Sequence, residues 1–126
     1  KTLCILKIQE QLDISSLDRL QSINIFRIIQ EALNNAEKHA EATNVSIIIT
    51  STDGSEKDNV QNMLKIFITD NGKGFDSSLI LKENGVNYGH FGLYNMKERA
   101  KDIGAAIEII SEEGEGTEIK LEVPLK

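Results

Sequence analysis

Two short runs of this chain carry residue types able to hold a charged ligand. In Glu31-Ala-Leu-Asn-Asn35-Ala-Glu-Lys38-His39-Ala, the residues Glu31, Asn35 and His39 recur at four-residue steps, with Lys38 beside the last. On a helix such spacing lets the side chains converge on one ligand. An Asn amide oxygen is a hard neutral donor that suits Mg²⁺, an ion that keeps several waters and takes its remaining ligands from phosphates. Lys38 supplies a cation that can face those phosphates. The second run, Asp70-Asn71-Gly72-Lys73-Gly74-Phe75, closes an apolar segment. Its glycines leave room for a flat ring to approach the backbone. A carboxylate fixed at Asp70 accepts from the exocyclic amine of adenine, whereas guanine offers an acceptor at that edge, and a mismatched buried pair costs about 1–3 kcal/mol. Together these are the parts that hold a magnesium nucleotide. Asp-x-Gly-x-Gly also makes ordinary tight turns, so the companion segments decide its meaning.

Two further runs fit that reading. Gly89-His90-Phe91-Gly92-Leu93 stands immediately before a predicted helix, where free N–H groups and the positive end of the dipole meet phosphate oxygens. Gly114-Glu115-Gly116-Thr117 has the composition of a hairpin turn. No Gly-x-x-x-x-Gly-Lys-Ser/Thr is present and no Gly-x-Gly-x-x-Gly follows a strand. That excludes a P-loop and leaves a Rossmann dinucleotide site unsupported. With His39 and His90 the only histidines, no Ser/His/Asp arrangement is persuasive.

The elements that must position these residues are legible in the hydrophobic pattern. Thr2–Gln9 reads as a strand, and Leu12–Gln21 is polar and ambiguous. Ser22 or Asn24 is placed to cap a helix running to about Glu41. On its wheel Ile25, Ile28, Ile29, Ala32, Leu33, Ala36 and Ala40 form a core arc, while Arg27, Glu31, Asn34, Asn35, Lys38 and Ala42 lie opposite, with His39 at the border. Val45–Ser51 and Met63–Thr69 read as strands joined by a long polar loop. The stretch from Phe75 to Phe91 lacks a period and is long enough to serve as a lid. Gly92–Gly104 reads as a helix stopped by Gly104, and Ala106–Ser111 and Thr117–Pro124 as the last strands. The expected architecture is α+β, a two-layer sandwich with a mixed, mostly antiparallel sheet covered on one face by helices.

Composition narrows the class. A chain of 126 residues with 40% hydrophobic and 27% charged residues fits one compact domain, residues 1–126. A net charge of −6 without basic blocks argues against nucleic acid and against direct membrane contact. Cys4 stands alone, so neither a disulfide framework nor a paired-thiol metal site is expected. No apolar run is long enough to span a bilayer. The first residue is Lys1 rather than Met, which reads as a fragment of something longer.

The four runs, in this order, resemble the ATP-binding catalytic domain of bacterial sensor histidine kinases, within the superfamily of gyrase, the ninety-kilodalton heat-shock chaperone and the mismatch-repair ATPase. Glu31 to Ala40 looks like the N box, Asp70 to Phe75 the G1 box, Gly89 to Leu93 the G2 box and Gly114 to Thr117 the final glycine–threonine element. Asn95-Met96-Lys97-Glu98-Arg99-Ala100 is typical of the subclass paired with helix-turn-helix response regulators. The resemblance implies that Asn35 ligates Mg²⁺, that Lys38 and His39 approach the ATP phosphates, and that Asp70 reads the adenine amine. It also implies that Gly72 and Gly74 line the ring, that Gly89, His90, Phe91, Gly92 and Leu93 meet the nucleotide, and that Thr117 supports the Asp70 end. In hydrolysing members a Glu at the place of Glu31 is the general base. Gly89 and Gly92 are separated by two residues rather than the commoner one, which leaves their N–H contacts open.

The implied activity is transfer of the γ-phosphoryl group of ATP to a histidine on a separate helical dimerisation domain of the same protein. A helix-turn-helix response regulator then takes it up. His39 and His90 both sit inside ATP-binding motifs and are not the acceptor. The implied location is cytoplasmic, in a membrane-bound or soluble sensor. The alternatives are an ATP-hydrolysing switch or anti-sigma Ser kinase of the same superfamily, and a non-catalytic nucleotide-binding module.

Overall fold

The computed structural model describes residues 2–10, 12–52, 62–75 and 92–125. Its elements, in chain order, are strand β1 (Leu3–Ile8), helix α1 (Arg19–Asn34) continued by a π turn (Asn35–His39), and strands β2 (Asn44–Ser51) and β3 (Met63–Asp70). Helix α2 (Leu93–Asp102) and strands β4 (Ala106–Glu112) and β5 (Gly116–Pro124) follow. The strands form one sheet in the order β1-β2-β3-β5-β4. β1 runs parallel to β2, a pairing that needs the long connection α1 supplies, and the other pairs are antiparallel. This is the α+β sandwich expected from the sequence.

The core lies between helices and sheet, and alternation fills it. Val45 and Ile47 of β2, Leu64, Ile66 and Ile68 of β3, and Ile119, Leu121 and Val123 of β5 are all buried. They meet Ile25, Ile28, Ala32 and Ala36 from the α1 side and Leu93, Met96 and Ala100 from α2. Each such aliphatic side chain contributes roughly 1.5–3 kcal/mol through removal from water. The opposite face is mixed: Lys65 pairs there in register with Glu122, and Ile48 and Ile110 are exposed among the polar side chains.

Both boundaries of α1 differ from the sequence reading, and so does the burial of two residues near its end. α1 starts before Ser22, because Asp18 accepts from the Gln21 N–H at 2.7 Å while the Gln21 side chain accepts from the Asp18 N–H at 3.0 Å. That reciprocal box satisfies two orphan donors, and Asn24 is buried inside the helix rather than capping it. α1 does not run on to Glu41: from Asn35 the turn widens, and the Asn35 carbonyl accepts from Ala40 N–H at 2.8 Å. Glu41 then takes a positive φ of 52°, which turns the chain. Ala42 therefore falls in the core at 4% exposure, not on the polar arc. His39 is exposed rather than at the core border.

Candidate functional site

Asp70 is the last residue of β3 and continues the phase of Leu64, Ile66 and Ile68. Its carboxylate therefore points where an apolar side chain is expected, at the end of the buried face. Oδ1 accepts from Gly72 N–H at 2.8 Å, and the Thr117 backbone N–H also donates to the carboxylate. Burial nevertheless pushes the carboxyl above its ordinary value, outweighing the two N–H groups that stabilise its charge.

The turn after Asp70 is stapled on three sides. Asn71 Oδ1 accepts from the N–H groups of Thr43 (3.0 Å) and Asn44 (2.9 Å), and its Nδ2 donates to Thr43 Oγ1 (2.8 Å), tying the turn to the start of β2. Lys73 N–H donates to the Ala40 carbonyl at 2.9 Å, and Gly114 N–H donates to the Lys73 carbonyl at 2.6 Å. A Cβ on Gly72 would lie 2.7 Å from the Ala40 carbonyl oxygen, so glycine there permits the close approach of this turn to the end of the π turn. Buried Ser111 completes the frame. Its Oγ accepts from Phe75 N–H at 2.9 Å, donates to the Gly116 carbonyl at 3.0 Å and lies 2.8 Å from Thr117 Oγ1.

Around this frame a cavity opens. Ala32, Asn35, His39 and Ala40 line one side, Asp70, Gly74 and Phe75 another, and Leu93, Thr117 and Ile119 the rest. Of the residues singled out in the sequence, Asn35, His39, Asp70, Gly74, Leu93 and Thr117 thus share one cavity. Lys38 and Gly72 do not line it; Lys38 is exposed on the π turn and Gly72 is buried in the turn after β3. Glu31 stands one turn away and lines a second, polar cavity with Arg27, Gln30, Asn95, Met96 and Arg99. Gly92 caps α2 at φ 65° with no side-chain partner, and a Cβ there would run into the Glu31 carboxylate. Glu31 is therefore seated at the α2 N-terminus. Gly89, His90 and Phe91, and most of the expected lid, lie outside the described residues.

Sequence reading missed Asn71, Phe75 and Ser111 as site-builders. Asn71 and Phe75 stood within the glycine-rich run; Ser111 was marked only by being a hydroxyl that ends an apolar strand.

The comparisons agree with this geometry. A family described as "Histidine kinase-, DNA gyrase B-, and HSP90-like ATPase" matches residues 21–126. The chain belongs to that family. Relatives of this ATPase domain are sensor histidine kinases. The sensor histidine kinase LiaS of Bacillus subtilis is 40% identical over 102 residues, covering 81% of this chain and 24% of LiaS. The sensor protein VraS of Staphylococcus haemolyticus is 38% identical over 102 residues, covering 81% of this chain and 25% of VraS. The histidine kinase ComP of B. subtilis is 34% identical over 111 residues, covering 88% of this chain and 13% of ComP. The chain thus spans a quarter or less of these relatives. The blue-light activated histidine kinase of Erythrobacter litoralis EL346 shares the fold, with a TM-score of 0.63 at 20% identity over 99% of this chain and 36% of that one. No helix among the described residues is long and apolar enough to cross a membrane.

Proposed function

We propose that this ATPase-family domain binds Mg-ATP and donates the γ-phosphoryl group to a histidine on a helical dimerisation domain of the same, longer protein, from which a helix-turn-helix response regulator receives it. One observation carries the reading. A half-buried carboxylate, Asp70, held by two backbone N–H groups, shares a cavity with Asn35 and His39 from the π turn. Adenine recognition and phosphate positioning then fall at two ends of one pocket.

Among the described residues no group of three His, Cys, Asp or Glu side chains is placed to hold a metal ion. A divalent ion here would therefore take Asn35 together with phosphates and water, a donor set that fits Mg²⁺. The ion would neutralise charge on the phosphates. Phosphoryl transfer asks mainly for positioning and electrostatic stabilisation. Asp70 fixes the base, Asn35, Lys38 and His39 hold the phosphate end, and Gly92 and Leu93 offer the α2 N-terminus. The incoming imidazole nitrogen forms the new N–P bond as the bond to the ADP leaving oxygen breaks.

The seat of Glu31 against Gly92 favours a second reading, hydrolysis, in which Glu31 is general base toward a water in line with the γ-phosphate. The two separate in one experiment. The chain alone is expected to release phosphate slowly and not to label itself, and to transfer phosphate when a histidine-bearing helical domain is added. Glu31→Gln should impair that transfer less than Asn35→Asp. Rapid acceptor-independent phosphate release, lost in Glu31→Gln, would make the domain an ATPase instead.

A further inference from the structure

The outer side of α1 carries a feature that nucleotide binding does not use. Leu20, Ile23 and Phe26 are 57%, 47% and 61% exposed, although large apolar side chains on a helix ordinarily turn toward the core. Their arc continues through Arg27 to Glu31, at the three- and four-residue steps that align side chains along one side of a helix. Arg27 and Glu31 then wall the polar cavity that Arg99 of α2 completes. One turn further on, Asn35 enters the cavity of Asp70. An exposed apolar stripe, a cavity flanked by two arginines and the phosphate end of the candidate site therefore follow one another along a single helix.

Charge indicates what covers the stripe. The chain carries a net charge of −6, yet Arg19 and Arg27 flank the stripe and Arg99 faces it across the cavity, against Glu31 as the one acid of α1. Two copies meeting stripe to stripe would set arginines against arginines. An amphipathic helix with carboxylates beside its apolar stripe satisfies both the apolar and the basic half. Its approach would end beside Glu31 and Gly92.

We propose that the α1 stripe of Leu20, Ile23 and Phe26, with Arg27 and Arg99, seats an acid-flanked amphipathic helix of the phosphoacceptor domain. This docking fixes the direction from which the imidazole reaches the γ-phosphate. The proposal rests on the kinase reading above and names the partner surface of that site.

The test uses the full-length gene product and its Ile23→Asp, Phe26→Asp, Phe26→Leu and Arg99→Gln forms. Mg-ATP affinity, the single-turnover rate of phosphoryl incorporation at saturating Mg-ATP, and thermal melting are read for each. The two Asp forms and Arg99→Gln should slow incorporation about tenfold, while ATP affinity stays within about twofold, and Phe26→Leu should retain the wild-type rate. Since Ile23 and Phe26 are exposed, melting should be unchanged. Incorporation at the wild-type rate in both Asp forms overturns the docking surface and leaves the kinase reading standing. A 126-residue chain that sediments as a dimer, and becomes a monomer on Phe26→Asp, assigns the stripe to a second copy and overturns it as well. Wild-type protein that binds Mg-ATP but incorporates no phosphate overturns the kinase reading, and the docking proposal with it.

Discussion

At Asp70 a charge is set into the phase of a buried strand face, and burial raises its pKa despite two N–H donors. Because the folded value is raised, the native state holds its proton more tightly than the unfolded chain. Ionisation therefore costs stability, beginning as pH rises past the ordinary carboxylate value and complete above Asp70's own. Asp70→Asn should accordingly leave neutral-pH stability unchanged or slightly higher while abolishing most ATP affinity. If Asp70 reads the adenine amine in its ionised form, as proposed, affinity for Mg-ATP should weaken on acidification earlier than an exposed Asp would allow. Calorimetric titration of ATP and GTP across pH checks both points; equal affinity for the two nucleotides, or wild-type binding by Asp70→Asn, removes Asp70 as the base reader. Gly92 makes a second single-residue case. Its positive φ and its contact with Glu31 leave no space for a Cβ, so Gly92→Ala should cost about 1–2 kcal/mol from the left-handed backbone alone, read in urea melts.

Among the elements, the turn after β3 matters for what it ties together. Asn71 holds the ends of β2 and β3 with three hydrogen bonds of 2.8–3.0 Å. Asn71→Ala should lower stability by about 1–2 kcal/mol and weaken ATP binding further than that loss explains, because the Gly72 N–H that orients Asp70 loosens with it. Denaturant melts paired with ATP titration separate the two effects; an unchanged nucleotide affinity would show the turn rigid without Asn71. Elements were legible in the sequence where one periodicity ruled them. β3 and β5 alternate cleanly, and the core arc of α1 from Ile25 to Ala36 matches the buried set. The π turn was not legible, since Asn35 to His39 fit a four-residue repeat as well as the widened turn, and only the Asn35–Ala40 hydrogen bond distinguishes them. The Asp18 start was missed for a related reason. Its box partner is Gln21, inside a stretch whose polarity hid the helix, and the exposed Leu20 and Ile23 blurred the amphipathic pattern.

At the scale of the molecule, the cavity is shared between two parts of the chain. Asn35, His39 and Asp70 come from the part ending with β3, and Leu93 and Thr117 from the part beginning with α2. The sequence showed these residues as separate runs and could not show Ser111, whose hydroxyl meets Phe75, Gly116 and Thr117 only after folding. The seam between the parts is the β3–β5 ladder, which runs from Met63 opposite Pro124 to Asp70 opposite Thr117. A pocket straddling such a seam makes its ligand a clasp. If the backbone is severed between Phe75 and Gly92 and the two pieces are expressed together, they should reassociate through that ladder. Mg-ATP at a hundredfold excess over its dissociation constant should strengthen the reassembly by about 2.7 kcal/mol. Titrating one labelled piece with the other, with and without nucleotide, measures this, and identical curves would place the binding determinants within a single piece.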